Sequence, residues 1–340
     1  MINIATIGSG VIVDRMIDAI KQVNGTNLYA VYSRTEERAQ EFAGKHKADT
    51  YYWDLDHMLQ DENIDVVYIA SPNSLHFDQA KKALNAKKHV LLEKPFCAGK
   101  HEAELLFALA EKNNVFIMEA ITNVHTPNFQ IVKDHLKEIG EIKLVQCNFS
   151  QYSSRYDQYR NHKITNAFDL KFEGGALMDI NVYNLHFMAG LFGMPQTLRY
   201  FMNIGYNGID TSGVIIMEYP GFVAVCVGAK DSSSPYSVYL QGEDGTLRVD
   251  RASSGVCEHV DLLLPKGDTI GKKNRSEQTK EIGIDQGFHM YYELSDFADM
   301  INTGDVGRYK VWKDQTLMVM SLLDEAKKQR NLRFDIKDEL

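Results

Sequence analysis

The sequence lacks the long apolar segment, the basic excess and the proline-rich stretches that would each define a class of protein. No run of about 20 apolar residues occurs in its 340 residues, which excludes a membrane-spanning helix. There are 37 Lys and Arg against 46 Asp and Glu, and the net charge of -9 argues against a nucleic-acid or anionic-membrane partner. Seven Pro and 24 Gly are too few for a linker-rich, disordered chain.

Cysteine is also scarce, and its spacing indicates neither a disulfide framework nor a metal site. The four cysteines are Cys97, Cys147, Cys226 and Cys257. They are far apart and form no CxxC pair, so we expect reduced thiols, no metal and a cytoplasmic location. The first residues have the pattern of a strand rather than of a signal peptide, which agrees with that location.

A length of 340 residues predicts two domains. In the first third, apolar runs such as Ile2–Ile7, Leu28–Tyr32 and Val66–Ala70 alternate with helical patterns, which indicates a parallel sheet covered by helices. Beyond about Ile121, short β-branched and aromatic runs alternate with turns, which indicates a mostly antiparallel sheet. We therefore expect an α/β protein with domains at 1–121 and 122–340, in which the C-terminal helix is free to pack back on the first domain.

Three segments of the second domain have a distinct character. Gln151–Glu173 is polar, rich in Tyr and Asn, and long enough for a lid or binding loop. Ala176–Phe192 is predicted to be helical. Lys266–Gln286 is charged and poor in apolar residues, so we expect a surface loop there.

Gly8-Ser9-Gly10 follows the first strand and opens the first helix. One glycine suits the tight turn and the other lets the backbone approach a pyrophosphate, which the amides of Val11 and Ile12 at the helix N-terminus would face. Val13 replaces the third glycine of the dinucleotide pattern, so the motif is incomplete. The alternative is a strand-to-helix turn that uses glycine for its geometry alone.

The end of the second strand bears on the choice of cofactor. An NAD site uses an acid there for the ribose hydroxyls, whereas an NADP site uses a hydroxyl and a guanidinium for the 2′-phosphate. Here the acid is missing, Ser33 and Arg34 are present, and Arg38 lies one helical turn further on. This favours NADP(H), with NAD(H) as the alternative; an arginine at a helix start is otherwise simply solvated.

Two later strand ends also carry polar residues. Ala70-Ser71-Pro72-Asn73, with His76 behind it, ends a strong strand and lies where a parallel sheet binds its ligand, although a helix-capping turn would explain it equally well. Glu93-Lys94-Pro95 ends a buried strand. Lys94 therefore emerges at the same edge, suited to bind a substrate hydroxyl or to lower the pKa of a neighbouring acid–base group.

A polar row is predicted on the helix behind Gly174-Gly175. Asp179 and Tyr183 are four residues apart and His186 is three further on, so all three share one helical face. A carboxylate, a phenol and an imidazole in a row are suited to act on a substrate. The alternative is that Asp179 orders the first turn and the two rings are packing residues.

These motifs together resemble the Gfo/Idh/MocA oxidoreductases over essentially the whole chain, most strongly in the first third. The matching pieces are Gly8-Ser9-Gly10, Ser71-Pro72-Asn73 with His76, Glu93-Lys94-Pro95, Met118-Glu119-Ala120, and Gly174-Gly175-Ala176-Leu177-Met178-Asp179 with Tyr183. The chain departs from many relatives at Val124, Leu170 and Glu173, where they have Arg, Pro and Gly. These departures touch the substrate side and leave the cofactor prediction intact.

The resemblance implies an N-terminal Rossmann dinucleotide-binding domain followed by an α/β domain with an open, mostly antiparallel sheet. It implies that Lys94, Tyr183 and Asp179 act on the substrate, and His186 is added from its place on the same face. The residues expected at the cofactor are Gly8, Gly10, Val11, Ile12, Ser33, Arg34, Arg38, Ala70, Ser71, Pro72, Asn73, His76, Glu93, Lys94 and Glu119.

The expected activity is hydride transfer between NADP(H) and a secondary alcohol or carbonyl of a sugar, polyol or diol. Either Tyr183, its pKa lowered by Lys94, or Lys94 itself would be the base. The alternatives are a non-catalytic NADP(H) sensor and an enzyme whose bound cofactor drives elimination or hydrolysis. Because strands Gly213–Tyr219 and Phe222–Gly228 are apolar and helices are few, we expect a homodimer or higher homo-oligomer through the second sheet.

Overall fold

The computed structural model of the chain describes residues 1–266 and 277–335. They form two compact units, one of Met1–Ile121 with Phe288–Met320 and one of Thr122–Gly287 with the residues from Ser321 onward. Each unit has its own sheet. In the described residues no helix is both long and apolar enough to cross a membrane.

The described residues form both strands and helices. The strands are β1 (Ile2–Ile7), β2 (Thr26–Tyr32), β3 (Thr50–Tyr52), β4 (Val66–Ile69), β5 (His89–Glu93), β6 (Ile117–Ala120), β7 (Ile142–Ser150), β8 (Thr197–Ile204), β9 (Asp210–Tyr219), β10 (Phe222–Ala229), β11 (Ser237–Gly242), β12 (Thr246–Asp250), β13 (His259–Pro265) and β14 (Glu277–Glu281). The helices are α1 (Val11–Gln22), α2 (Glu36–His46), α3 (Leu55–Gln60), α4 (His76–Asn85), α5 (Lys100–Asn113), α6 (Pro127–His135), α7 (Tyr156–Arg160), α8 (Val182–Phe192), α9 (Met290–Thr303) and α10 (Val306–Asp335).

The first unit contains a six-stranded parallel sheet in the order β3-β2-β1-β4-β5-β6, which confirms the predicted parallel sheet. Its central strands are buried throughout because helices cover both faces; every residue of Val66–Ile69 is buried. Strand β3 and helix α3 were not predicted. With three and six residues, they are too short to show a hydrophobic period.

The register of this sheet brings five strand ends to one edge. Ile7 at the end of β1 pairs with Tyr32 of β2 and with Ile69 of β4. Ile69 in turn pairs with Leu92 of β5, and Glu93 pairs with Ala120 of β6. The residues after these strands therefore share the carboxyl edge of the sheet, where parallel sheets bind ligands.

The second unit contains an eight-stranded sheet in the order β14-β13-β12-β11-β7-β10-β9-β8. Strands β7 and β10 run parallel, and the other described pairs are antiparallel, which confirms the mostly antiparallel prediction. Helix α8 packs on one face of the sheet, against β7 and β10. The opposite face stays partly exposed, and it carries apolar side chains such as Phe201, Val214, Val223 and Val225.

Two segments differ in detail from the sequence prediction. The polar segment 151–173 contains helix α7 and two short 3-10 turns, and it packs through Tyr159 and Phe168 onto Ile209. Strand β14 lies inside Lys266–Gln286, which was predicted to be a surface loop. Its polar sequence pairs with β13 at the edge of the sheet, and residues 267–276 lie outside the described part of the chain.

Candidate active site

The turn between β1 and α1 is lined by backbone. Gly8 has a φ of +119°, and a Cβ there would lie 2.7 Å from the carbonyl oxygen of Ala70, so only glycine fits. A Cβ at Gly10 would meet nothing within 4 Å, and Gly10 caps α1 without a side-chain hydrogen bond. The side chains of Val11 and Ile12 are exposed beside this open helix N-terminus. Such a terminus binds a pyrophosphate through its N–H groups.

The end of β2 presents two arginines to solvent. The Ser33 N–H donates to the carbonyl oxygen of Tyr52 at 3.1 Å, which fixes the backbone there. Arg34 and Arg38 are exposed, and within residues 1–266 and 277–335 neither guanidinium has a hydrogen bond or ion pair with the protein. Both guanidinium groups are therefore available to an external anion such as a phosphate.

The end of β4 holds a shielded hydroxyl. The Oγ of Ser71 is buried and makes no hydrogen bond with the described residues, whereas Pro72 and Asn73 begin a short 3-10 turn. His76 is completely buried; its Nδ1 lies 3.0 Å from the carbonyl oxygen of Pro95 and its Nε2 lies 3.0 Å from that of Ser71. Burial lowers the pKa of His76, and its ring lies between the backbone segments that follow β4 and β5.

Glu93 fixes the backbone where β5 ends. Its Oε1 accepts a hydrogen bond of 2.5 Å from the Tyr68 hydroxyl, and its Oε2 accepts one of 3.2 Å from the Lys94 N–H. Burial raises the pKa of Glu93. Lys94 itself is half-buried, and the Lys94–Pro95 peptide bond is cis.

Glu119 secures the segment that follows. Its Oε1 accepts a hydrogen bond of 3.1 Å from the Phe96 N–H, and its Oε2 accepts one of 3.0 Å from the Thr316 hydroxyl. Glu93 and Glu119 are both buried, and each accepts from backbone next to the Lys94–Pro95 pair. The contact of these two carboxyl groups with a cofactor stays a prediction.

The carboxyl edge of the first sheet fits a dinucleotide phosphate on three counts. The Gly8–Gly10 turn is open at Gly10, where a Cβ would meet nothing within 4 Å. The Ser71 hydroxyl is buried without a partner, which a bound polar group would satisfy. Arg34 and Arg38 provide positive charge at the end of β2, where an NADP 2′-phosphate is bound in such folds.

In the second unit, Asp179 lies in a π-helical turn, Leu177–Asn181, that precedes α8. The Val182 N–H donates to the Leu177 carbonyl oxygen, five residues back, so the segment is wider than the regular helix that the sequence predicted. The simple face rule for Asp179 and Tyr183 therefore does not apply across this turn. Single π turns are frequent at functional sites.

A completely buried carboxyl group, Asp210, anchors this turn. Its Oδ2 accepts hydrogen bonds from the Leu177 N–H at 2.6 Å and from the Tyr200 hydroxyl at 2.8 Å. Gly175 has a φ of +102°, and a Cβ there would lie 2.3 Å from Asp210 Oδ1, so glycine is required. Arg330 Nη1 lies 3.4 Å from Asp210 Oδ1, and burial raises the pKa of Asp210.

Asp179 forms an ion pair with a lysine that the sequence analysis missed. Lys230 Nζ lies 2.7 Å from Asp179 Oδ2, and the side chain of Lys230 is only 2% exposed, whereas that of Asp179 is 40% exposed. The sequence contained a signal for Lys230, because it directly follows the apolar run Phe222–Ala229. The same signal, a lysine at a buried strand end, had identified Lys94.

Tyr183 is half-buried near the start of α8. The Asn123 side-chain amide donates to its carbonyl oxygen at 2.9 Å, its ring centroid lies 5.5 Å from that of Phe149, and its ring packs against Gly255. His186 is completely buried. Its contact with a substrate stays a prediction.

A histidine and two carboxylates also cluster on β12 and β13. Potential ligand atoms of Asp250, His259 and Asp261 lie within 4.8 Å of one another. Arg248 forms an ion pair with Asp261, and its Nε lies 3.3 Å from Asp250 Oδ2. The arginine balances the carboxylates, so we interpret the cluster as a salt-bridge network.

Two family models match the chain. Residues 2–121 match the GFO_IDH_MocA model, described as an oxidoreductase family with an NAD-binding Rossmann fold. Residues 129–248 match the GFO/IDH/MocA C-terminal domain. The two matches correspond to the parallel sheet and to most of the second sheet.

Individual relatives cover nearly the whole chain. The scyllo-inositol 2-dehydrogenase (NADP(+)) of Bacillus subtilis (strain 168) is 35% identical over 333 residues, 98% of each chain. The trans-1,2-dihydrobenzene-1,2-diol dehydrogenase of Danio rerio is 28% identical over 311 residues, 89% of this chain and 88% of that one. A solved 3-ketoreductase from Actinomadura kijaniata, in complex with NADP and TDP-benzene, has a TM-score of 0.83 at 22% identity and covers 96% of this chain and 97% of that one. At that identity the likeness shows the fold alone.

Proposed function

This chain belongs to the Gfo/Idh/MocA family of oxidoreductases, and we propose that it is an NADP-dependent dehydrogenase or reductase for a secondary hydroxyl group of a cyclic polyol, sugar or diol. The family expected from the motifs is confirmed, as is an NAD(P)-dependent oxidoreductase fold. The observation that carries the choice of NADP is the pair of unengaged arginines, Arg34 and Arg38, at a strand end without an acid. The NADP(+) dependence of the Bacillus subtilis relative supports it.

In this proposal the residues of the chain bind, orient and move a proton. When bound, NADP(H) supplies the hydride acceptor or donor. Tyr183 takes the proton of the substrate hydroxyl on oxidation and returns it on reduction. Lys94 binds that hydroxyl and supplies the positive charge that favours the phenolate, and Asp179 orients the reacting groups. Lys94 acting directly as the base is the alternative within the same proposal.

Activity with a panel of substrates tests this function. Purified protein is assayed with NADP⁺ and NAD⁺ against inositols, sugars and vicinal diols, and turnover is followed as absorbance of the reduced nicotinamide. We expect turnover of at least one cyclic polyol or diol, with NADP⁺ preferred. Cofactor binding without turnover of any substrate in the panel would instead favour the non-catalytic sensor.

The open face of the second sheet supports a homodimer as the functional form. Phe201, Val214 and Val227 are neighbours across β8, β9 and β10 in the sheet register. Phe201 is 50% exposed, and the other two are partly exposed. A contiguous exposed apolar patch of this kind is typical of an interface. A second copy of the same face would cover it.

A further inference from the structure

Lys230 is buried directly after β10, and its ammonium contacts three described groups. Its ammonium lies 2.7 Å from Asp179 Oδ2, donates to the Ala167 carbonyl oxygen at 2.9 Å, and lies 4.7 Å from the centroid of the Phe168 ring. A buried ammonium is costly unless it is paired and hydrogen-bonded. The three contacts therefore hold the ammonium of Lys230 in one position.

The backbone of Lys230 is held equally firmly. Its N–H donates to the Thr211 carbonyl oxygen at 2.9 Å, and its own carbonyl oxygen accepts from the Ser153 N–H at 2.9 Å. Lys230 thus joins β9 to the first part of the polar segment 151–173, and its side chain reaches the later part at Ala167. Because this backbone is held, motion of the ammonium away from Asp179 would disturb its contacts with Ala167 and Phe168.

The ion pair with Lys230 affects both the orientation and the ionisation of the Asp179 carboxylate. Its side chain is 40% exposed, and an exposed carboxylate normally changes rotamer freely. An ion pair to an immobile cation removes that freedom, and an opposite charge at this distance favours the ionised form. The contact therefore supplies both properties that an orienting carboxylate needs.

We propose that Lys230 is a positioning residue, which keeps Asp179 ionised and in one orientation for the reaction and joins it to the segment 151–173. The proposal rests on the proposed function. Asp231 follows Lys230 in the chain, and its Oδ2 accepts from the Thr211 and Ser212 hydroxyls at 2.7 and 2.8 Å. Tyr156 lies near Asp231, and burial raises the pKa of its phenol, so the phenol stays neutral at pH 7.

The first measurement is the pH profile of kcat/KM for Lys230→Met, which keeps the length of the side chain and removes its charge. We expect the acidic limb to move up by about one pH unit or more, because Asp179 loses the positive charge of Lys230. At pH 7 we expect kcat/KM for the substrate to fall about 10–100-fold, because a misplaced Asp179 would position the reacting groups less well. The affinity for NADPH should stay unchanged. In Lys230→Arg, which keeps the positive charge, the acidic limb should lie at its wild-type pH.

The matched control is Lys88→Met in the first unit. Lys88 is also a buried lysine, 7% exposed, and its Nζ donates to the Asp61 carbonyl oxygen at 2.8 Å. It measures the cost of removing a buried ammonium without touching Asp179. If Lys230→Met lowers thermal stability as Lys88→Met does but leaves the acidic limb and kcat/KM at their wild-type values, Lys230 is structural and the proposal is wrong.

The second measurement does not need activity. The carboxyl carbon of Asp179 is followed by NMR in protein labelled at the aspartate carboxyl carbons, with Asp179→Asn for assignment. We expect its titration midpoint to be at least about one unit higher in Lys230→Met than in the wild type; equal midpoints would overturn the proposal. If the wild type turns over no substrate, the proposed function fails while this titration still decides the role of Lys230. Should Lys230→Met not fold, Lys230→Gln, which can still donate to the Ala167 carbonyl oxygen, replaces it.

Discussion

The two sheets place their polar groups in different ways. In the first sheet, Gly8, Ser33, Ser71 and Lys94 all follow the last residues of parallel strands, so the register alone brings them to one edge. In the second sheet, Asp179 lies on a turn packed against the strands. Lys230 is the exception, because it follows β10, which runs parallel to β7. Each unit thus has one lysine directly after a strand with a parallel neighbour, Lys94 after β5 and Lys230 after β10.

The largest expected effect tests whether each unit supplies an essential group. Tyr183→Phe removes only a hydroxyl, and we expect turnover to fall about 10²–10⁴-fold with the affinity for NADPH unchanged. Lys94→Ala should cost at least as much, because it removes both the cation and a substrate contact. The double variant should be little worse than either single one, since groups that act as one unit are not additive.

Steady-state turnover of the substrate found in the panel measures these effects. The affinity for NADPH, measured by fluorescence, is the control for folding. Nearly full activity of Tyr183→Phe beside an inactive Lys94→Ala would make Lys94 the base. Full activity of both would contradict the proposed site.

The next effect concerns the open face, which the first sheet lacks. Phe201→Glu would place two carboxylates in the interface that we propose between two copies of the second sheet. Like charges that face each other in an interface cost several kcal/mol, so the dissociation constant of the dimer should rise at least about 100-fold. Light scattering at micromolar concentration measures the mass.

Val311→Glu is the control for that variant. Val311 is 59% exposed and belongs to the first unit, so the same substitution there should leave the mass unchanged. A wild-type protein that is monomeric at these concentrations would contradict the proposed interface.

A smaller effect sharpens the functional assignment of the first sheet edge. Arg34→Ala should weaken NADPH binding about 10-fold and leave NADH binding nearly unchanged, because a charge-assisted bond to the 2′-phosphate is worth about 1.5–3 kcal/mol. Fluorescence titration with both cofactors measures this. Lys21→Ala, which removes another exposed cation of the first unit, should change neither affinity. Equal losses of both cofactors in Arg34→Ala would contradict the NADP preference.

The sequence was more informative about the first unit than about the second. The parallel sheet and the polar residues at its carboxyl edge could be predicted from apolar runs followed by Gly8, Ser33 and Lys94, since the end of a strand is visible in the sequence. The π turn at Asp179 is not visible, because one extra residue in a helical turn leaves the apolar period almost intact. The pairing of Lys230 with Asp179 depends on the packing of the π turn against β10, which joins residues about 50 positions apart, and no local pattern contains it.

Two half-buried histidines of the first unit give the last expected effect, a loss of its stability in acid. The His89 Nδ1 accepts from the Phe116 N–H at 2.9 Å, and the His289 Nε2 lies 2.8 Å from an Arg15 guanidinium nitrogen, so both rings must be neutral. Burial lowers the pKa of each to about 4. The unfolded chain binds these protons at about pH 6.5, so stability is full above that pH and is lost as the pH falls towards 4. At pH 5 the loss is about 1–2 kcal/mol for each histidine.

Urea unfolding at pH 7 and pH 5, followed by tryptophan fluorescence, measures this loss. The two tryptophans of the chain, Trp53 and Trp312, both belong to the first unit and report on it selectively. In His89→Gln we expect the difference between the two pH values to shrink by about 1–2 kcal/mol, because the glutamine cannot be protonated. Comparing variant with wild type cancels the opposite slope of Glu93, whose pKa burial raises. The exposed His101 supplies the control, since His101→Gln should leave the difference unchanged; an equal shrinkage in both variants would show that burial of His89 is not the cause.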